Sequence, residues 1–378
     1  MISEFNRRLC ACLLVGALRL LAPQGADAQT NAQLLIRIDL SKFGWQRLPP
    51  RMTGEGTGRI GRLLEVDHKG RILVGYTSRD RQDLASRNNP TLAFHVLSFD
   101  SEGRNISSFE LPTTRWYDNG LYLDAEDDVI VKANDVLRAR PAESERKLGP
   151  DDWNVLRSCS ITCEVVQSTD RRTLLLDDKA ADPKLTYARV SKASLKILRE
   201  CPEAPRYDMH SFDEAYAYYG GQPTPRTYGL YRWPFCEYTQ VKEFPLSAGG
   251  RVIALNTKSL ALVDHNGIQI LTSSGERKFN WSMSKGDSAV NQVTASENGT
   301  SFALQIITFR GGSRAWDING KIVARRIDVF DSETGKILAS VPILKIDKDD
   351  RLEFRLSPGG SLLAIMVNGT LEIFKISK

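Results

Sequence analysis

Arg351–Leu356, Leu362–Val367 and Thr370–Ile376 are three short apolar or alternating runs. They are separated by Ser357-Pro358-Gly359-Gly360-Ser361 and by Asn368-Gly369, and then the chain ends. Runs of this length cut by Gly- and Asn-containing turns read as antiparallel strands joined by tight hairpins. Three strands leave one edge unpaired, and at the opposite end Gln33–Leu40 (QLLIRIDL) is a strand with no local partner. Pairing the two would remove both exposed edges.

The same rhythm continues inward. Arg71–Thr77, Leu92–Phe99 and Arg104–Leu111 are successive strands, and helical periodicity is nearly absent after Gln33. The turns carry Asp and then Gly, at Asp67-His68-Lys69-Gly70, Asp100-Ser101-Glu102-Gly103, Asp264-His265-Asn266-Gly267 and Asp331-Ser332-Glu333-Thr334-Gly335. Asp accepts backbone hydrogen bonds locally and Gly takes positive φ, which is hairpin chemistry. Polar turns that end an innermost strand are expected near Asp67, Asp124, Ser168, Phe212, Ala248, Ser296 and Ser357, 36 to 61 residues apart. That period suits four-stranded blades with loop insertions. The expected fold is therefore all-β: a single β-propeller of seven four-stranded blades, closed by pairing the N-terminal strand with the last blade. A β-sandwich with a second domain would need a linker, and no Pro/Gly/Ser-rich stretch divides the chain.

Leu356-Ser357-Pro358-Gly359-Gly360-Ser361-Leu362-Leu363-Ala364 followed by Asn368-Gly369-Thr370-Leu371-Glu372-Ile373-Phe374 resembles a WD40-type blade. Asp331-Ser332-Glu333-Thr334-Gly335-Lys336 is similar to the turn of YVTN and quinoprotein-type propellers. The resemblance covers residues 290–376 best. Neither of these stretches carries the Trp-Asp pair of WD40 repeats, the chain has no Gly-His pair, and Ile337-Leu338-Ala339-Ser340 stands where a quinoprotein repeat would want Trp. The resemblance implies a propeller architecture and assigns no activity.

Residues 1–28 have the build of a secretory signal peptide: Arg7 and Arg8, an apolar stretch from Leu9 to Ala22, and Ala26-Asp27-Ala28 as a cleavage site. Domain 29–378 would then be exported, secreted or periplasmic, with no membrane span after cleavage and a monomer expected. An uncleaved anchor is the alternative. The mature chain keeps 48 basic and 44 acidic residues, dispersed rather than clustered, which argues against nucleic-acid binding. Cys159, Cys163, Cys201 and Cys236 remain, an even count that reads as two disulfides in an oxidising compartment. Three connectivities are open, and proximity favours Cys159–Cys163 with Cys201–Cys236. A four-cysteine zinc site lacks paired C-x-x-C knuckles.

Several motifs look chemical. Gly56-Thr57-Gly58-Arg59-Ile60-Gly61 matches a dinucleotide-binding glycine pattern but follows Leu48-Pro49-Pro50 and precedes a strand, so it reads as an entry loop. Acidic runs at Asp124–Asp128 and Asp347–Asp350 lack calcium-loop spacing and read as solvated turns. His68 and His265 read as exposed residues of equivalent turns, and no Ser-His-Asp set can be assembled from spacing. No metal or cofactor is expected.

The longest insertions (Ser78–Pro90, Asp177–Lys184, Gly220–Arg226 and Phe309–Lys321) fall between second and third strands, on the face that also carries the connections between blades. Insertions gathered on one face commonly build the binding surface of a repeat fold. Candidate binding residues there are Arg79, Arg115, Trp116, Tyr117, Asp118, Arg206, Tyr207, Asp208, His210, Arg310, Arg314 and Trp316. Arg offers a planar fork to carboxylates, and Trp and Tyr offer flat apolar surface with a polar tip. The leading expectation is a non-catalytic module that binds a protein, peptide or cell-envelope glycan. The alternative is a propeller-type hydrolase, lyase or quinoprotein-like oxidoreductase with its site at the channel mouth.

Overall fold

The computed structural model describes residues 32–46, 62–79, 92–114, 119–142, 153–159, 163–178, 185–201, 209–212, 217–224, 227–232, 239–245, 251–264, 267–284, 286–310, 321–344 and 352–377. Every regular element among them is a strand, apart from a 3-10 turn at Leu40–Phe43. No helix among the described residues is long and apolar enough to cross a membrane.

Strand β1 (Ala32–Asp39) stands apart in sequence from the sheet it joins. A first sheet holds β2 (Leu64–Val66), β3 (Ile72–Arg79), β4 (Leu92–Phe99) and β5 (Asn105–Thr113). The next holds β6 (Gly120–Leu123), β7 (Val129–Ala133), β8 (Val136–Arg140) and β9 (Asn154–Ser158). It is followed by β10 (Cys163–Gln167), β11 (Leu174–Asp178), β12 (Leu185–Ser191) and β13 (Ser194–Cys201). Then come β14 (Met209–Phe212), β15 (Ala217–Thr224), β16 (Thr227–Arg232) and β17 (Thr239–Pro245). The fifth set is β18 (Arg251–Asn256), β19 (Ser259–Asp264), β20 (Gly267–Thr272) and β21 (Arg277–Ser282). The sixth is β22 (Asp287–Ala295), β23 (Ser301–Arg310), β24 (Lys321–Asp331) and β25 (Ile337–Pro342). Last, β26 (Leu352–Leu356), β27 (Leu362–Val367) and β28 (Thr370–Ile376) form a sheet whose fourth strand is β1, in the order β1-β28-β27-β26.

The seven four-stranded sheets among the described residues are antiparallel, and the first strands of neighbouring sheets lie side by side. β26 abuts β2, β2 abuts β6, and β10, β14, β18, β22 and β26 follow one against the next. Between β6 and β10 the link is through side chains: Gln167 Nε2 donates to the Leu123 carbonyl at 2.5 Å and Tyr122 OH to the Val165 carbonyl at 3.4 Å. The chain is a single all-β propeller.

Local chemistry sets the hairpins. Asp67 Oδ1 accepts the amides of Lys69 and Arg71 at 2.9 and 2.7 Å, and Asp100 Oδ1 those of Glu102 and Arg104, both at 2.9 Å. Between the sheets the seams are aromatic and aliphatic. Trp281 of β21 meets Phe330 of β24 edge-on at 5.3 Å and Phe109 meets Trp153 at 4.6 Å, while within one sheet Phe302 stacks on its cross-strand partner Phe330 at 5.1 Å. Each such buried side chain contributes about 1.5–3 kcal/mol.

Three sequence expectations change. The turn expected near Ala248 lies at Thr257–Lys258, because the apolar run that forms the fifth inner strand is Arg251–Asn256. Gly220–Thr224 is not insertion but the second half of β15, since its backbone pairs with β16. The turns holding His68 and position 265 are not equivalent: the first joins a first to a second strand, whereas residues 265–266 lie between β19 and β20, a second and a third. The motif Gly56–Gly61 and the acidic run Asp347–Asp350 lie outside the described residues.

β1 pairs with β28 from Ala32 opposite Ile376 to Asp39 opposite Thr370. The chain leaving β1 is pinned by Leu40 N donating to the Gly369 carbonyl at 2.7 Å. Gly369 has φ of +74°, and a Cβ there would sit 2.3 Å from Trp45 Cε3. Gly369→Ala is therefore expected to lower stability by about 1–3 kcal/mol. Urea unfolding of the two proteins side by side checks this, and an unchanged midpoint would refute it.

Candidate functional site

Short inner strands put charged residues where there is little water. Glu65, at the centre of β2, is 1% exposed, between Leu64 and Val66, which are fully buried. An isolated carboxylate there would be strongly disfavoured, so it must be paired. Three guanidiniums do this: Arg62 Nη1 at 3.1 Å, Arg171 Nη2 at 3.4 Å and Arg355 Nε at 3.5 Å. Each is tied further. Arg62 donates to Gln167 Oε1 at 2.7 Å and lies over the Tyr122 ring, 5.6 Å from its centroid. Arg171 donates to the Val66 carbonyl at 2.9 Å. Arg355 donates to Thr294 Oγ1 at 3.1 Å and the Leu64 carbonyl at 3.2 Å. Glu353, two residues before Arg355 on β26, accepts from the Leu63 amide at 2.8 Å. Burial, then the neighbouring Arg62, pulls Arg355 down to about 10, so it remains a cation at neutral pH.

The cluster continues to the face formed by the turns between first and second strands. His68 Nδ1 lies 2.8 Å from Asp127 Oδ1, and its Nε2 lies 3.2 Å from Glu297 Oε2. Glu297 is also 3.7 Å from Arg171 Nε. Turns from the β2, β6, β10 and β22 sheets thus meet at one point. Thr169 Oγ1 donates to the Ala254 carbonyl at 2.5 Å, carrying the bridge from the β10 sheet to the β18 sheet. The axis is spanned by mutually paired side chains at this end.

The Asp124–Asp128 run is not a solvated turn. Asp124, Asp127 and Asp128 are all buried. Asp124 Oδ1 accepts the amides of Glu126 and Asp128, both at 2.8 Å. Asp128 accepts the amides of Ala142 and Ala193 at 2.9 and 2.7 Å, so it ties two sheets together. His68 is exposed, as expected of a turn residue, and its ring also bridges the turns that carry Asp127 and Glu297. Among the described residues no group of three or more His, Cys, Asp or Glu side chains has metal-holding geometry.

Of the residues expected to bind a ligand, the structure places three. Arg79 ends β3 opposite Leu92, and Arg310 ends β23, exposed, opposite Lys321. His210 lies in β14 at the irregularity between Met209 and Ser211. Arg79 and Arg310 thus terminate second strands of different sheets, at the end away from the ionic cluster. Arg115, Trp116, Tyr117, Asp118, Arg206, Tyr207, Asp208, Arg314 and Trp316 lie outside the described residues. Cys159 and Cys163 form a disulfide beside β10. Cys201 is disulfide-bonded too, and Cys236 lies outside the described residues.

Sequence reasoning missed the ionic cluster. A signal was present in Leu64-Glu65-Val66 and Glu353-Phe354-Arg355, where charges interrupt apolar inner strands. In a short buried strand such charges must find partners, though spacing does not say which.

Glu65→Gln leaves the buried Arg171 and the half-buried Arg62 and Arg355 short of one anion and is expected to cost about 3–5 kcal/mol, read from denaturant unfolding. A loss below that of an exposed control such as Glu102→Gln would refute the pairing. Asp124 gives a pH test. Burial raises its carboxyl from 3.8 to about 7 in the folded chain. The folded state then binds the proton more tightly than the unfolded one, so this contribution falls as pH rises from about 4 to about 7. In Asp124→Asn that decline should be absent from thermal unfolding measured across the same range. A profile matching wild type would overturn the assignment.

No protein-family model matches the chain, and no curated protein matches it in sequence. Solved structures do. A chain of a crystal structure of the mitotic checkpoint complex is 12% identical, with 94% of this chain and 96% of that one covered and a TM-score of 0.53. The Pan2 WD40 domain of Neurospora crassa is 10% identical, with 94% and 98% covered and a TM-score of 0.50. A chain of Kuenenia stuttgartiensis hydrazine synthase is 14% identical over 66% and 73%, with a TM-score of 0.45. At such identities the likeness is one of fold. The chain shares the β-propeller fold of the Pan2 WD40 domain, which its blade-like motifs resemble.

Proposed function

We propose that this chain is an exported interaction module. Residues 1–28 are removed as a signal peptide, and residues 29–378 form a closed ring of seven blades that holds a protein or peptide partner. The seven sheets, the neighbouring first strands and the pairing of β1 with β28 support the ring. The partner lies on the face of the connections between second and third strands and between blades.

The observation that carries this reading is the asymmetry between the two ends of the axis. At the turn face, His68, Asp127, Arg171 and Glu297 are paired with one another. Their charge is committed to holding blades together. At the other end, β3 and β23 stop at Arg79 and Arg310, where the chain enters residues 80–91 and 311–320. Connections of that length between strands of a rigid repeat fold commonly form a binding surface. Their Arg and Trp content suits an interface hot spot. The likeness to WD40 domains supports binding as the role.

The test uses the chain from Gln29 to Lys378 as bait in crosslinking capture from the producing cell's envelope and secreted fractions. Captured partners are then titrated against variants. Arg115→Ala with Trp116→Ala, and Arg314→Ala with Trp316→Ala, should each weaken binding by roughly tenfold or more. Arg104→Ala, in a turn on the opposite face, should leave affinity and thermal midpoint unchanged. Loss of binding in Arg104→Ala alone would move the interface to the turn face and end this proposal. A captured envelope glycan whose affinity follows the same variants would keep the site and replace the partner class.

A further inference from the structure

A polar relay crosses the first sheet, away from the axial cluster. Ser78 Oγ on β3 lies 2.6 Å from His95 Nε2 on β4. Glu110 Oε2 on β5 lies 3.7 Å from the other ring nitrogen, His95 Nδ1. Tyr76 stacks flat on the imidazole, with centroids 4.8 Å apart and planes 13° from parallel. The Tyr76 hydroxyl donates to the Phe43 carbonyl, so the stacking ring is itself fixed.

The strand register makes this juxtaposition. Tyr76 is opposite His95, His95 is opposite Glu110, and Ser78 is the diagonal neighbour of His95 on the same face. In sequence the three residues are 17 and 15 positions apart, and only pairing of three strands brings them together. Ser78 is half-buried, the His95 side chain is 21% exposed, and that of Glu110 is 63% exposed, so the relay opens to solvent. Ser78 is also the penultimate residue of β3, beside Arg79 and residues 80–91 on the long-connection face.

We propose that Ser78, His95 and Glu110 form a nucleophilic relay that acts on carboxylic esters, with Ser78 as nucleophile, His95 as general base and Glu110 as the positioning residue. A base on one imidazole nitrogen and a carboxylate beside the other is the arrangement that activates a hydroxyl and holds the imidazole in the needed tautomer. The 3.7 Å separation to Glu110 is long for a hydrogen bond, and such contacts commonly tighten when substrate binds. Burial keeps His95 below the ordinary imidazole range, partly offset by Glu110, and so favours the neutral form that accepts a proton.

The chemistry balances without a further reactant beyond ester and water. Ser78 Oγ bonds to the ester carbonyl carbon as its proton moves to His95 Nε2. The alcohol oxygen leaves and takes that proton. Water then gives a proton to Nε2 and its oxygen to the acyl carbon. The carboxylic acid departs, and Nε2 returns the proton to Ser78 Oγ.

This inference does not rest on the interaction proposed above, and the two fail separately. The experiment treats the folded chain from Gln29 to Lys378 with a biotinylated fluorophosphonate and maps the adduct by peptide mass spectrometry. Labelling is expected at Ser78, absent in Ser78→Ala and slowed by roughly 10²-fold or more in His95→Gln. Glu110→Gln should slow labelling with an unchanged thermal midpoint, as a positioning role requires. p-Nitrophenyl acetate should give a burst of nitrophenol that Ser78→Ala lacks. An unlabelled Ser78 in the folded wild-type chain, or a rate indifferent to His95→Gln, would overturn the proposal. Because the first readout needs no variant, a variant that fails to fold leaves the test intact.

Discussion

Glu65 is nearly devoid of solvent, and Arg62, Arg171 and Arg355 approach it from the segment preceding β2, the turn after β10 and strand β26. A propeller is apolar between its blades but narrows at its axis to a line of short strands. If those strands carried only apolar groups, their relative position would rest on non-directional contacts. Charged groups hydrogen-bonded across the axis instead fix which blade stands opposite which. The desolvation cost of each ion is offset only by several well-placed partners. The cluster supplies them through Gln167, Thr294 and the carbonyls of Leu64 and Val66.

The outer parts depend on that centre in turn. Asp128 reaches the amides of Ala142 and Ala193, and Asp127 reaches His68, so turn carboxylates staple neighbouring sheets near the axis. Further out, aromatic contacts such as Trp281 with Phe330 and Phe109 with Trp153 take over. At the rim β1 supplies the partner that β28 would otherwise lack. Polar pairing gives way to apolar packing as distance from the axis grows, because the wedge between sheets widens and larger side chains fill it.

Much of the fold was legible because it follows from local chemistry. Asp67, Asp100 and Asp331 hold the amides that follow them, and this can be read wherever Asp precedes a Gly-containing turn. The partner of the N-terminal strand could also be inferred, since three strands at the C-terminus leave an edge. The misplaced turn near Ala248 shows the limit. Arg251–Asn256 and Ser259–Asp264 are both short apolar runs, and only pairing shows that Thr257–Lys258 divides them. Asp124–Asp128 was read as solvated because polar turn residues usually are. The burial of Asp124, Asp127 and Asp128 comes from the convergence of turns near the axis, whereas His68 stays exposed as expected while its ring pairs with Asp127 and Glu297.

The sequence by itself determined that the chain is a series of short strands and tight polar turns, and that its two ends belong to one sheet. Those properties depend on residues near one another, or on the count of strands. The tertiary structure alone decided which charges meet. Glu65 and Glu297 share Arg171 across 232 positions of sequence, and Ser78, His95 and Glu110 meet only through strand register. Ion pairs and proton relays require approach to within a few ångströms. In a propeller that approach is set by how the sheets pack and by strand register, which no spacing along the chain encodes.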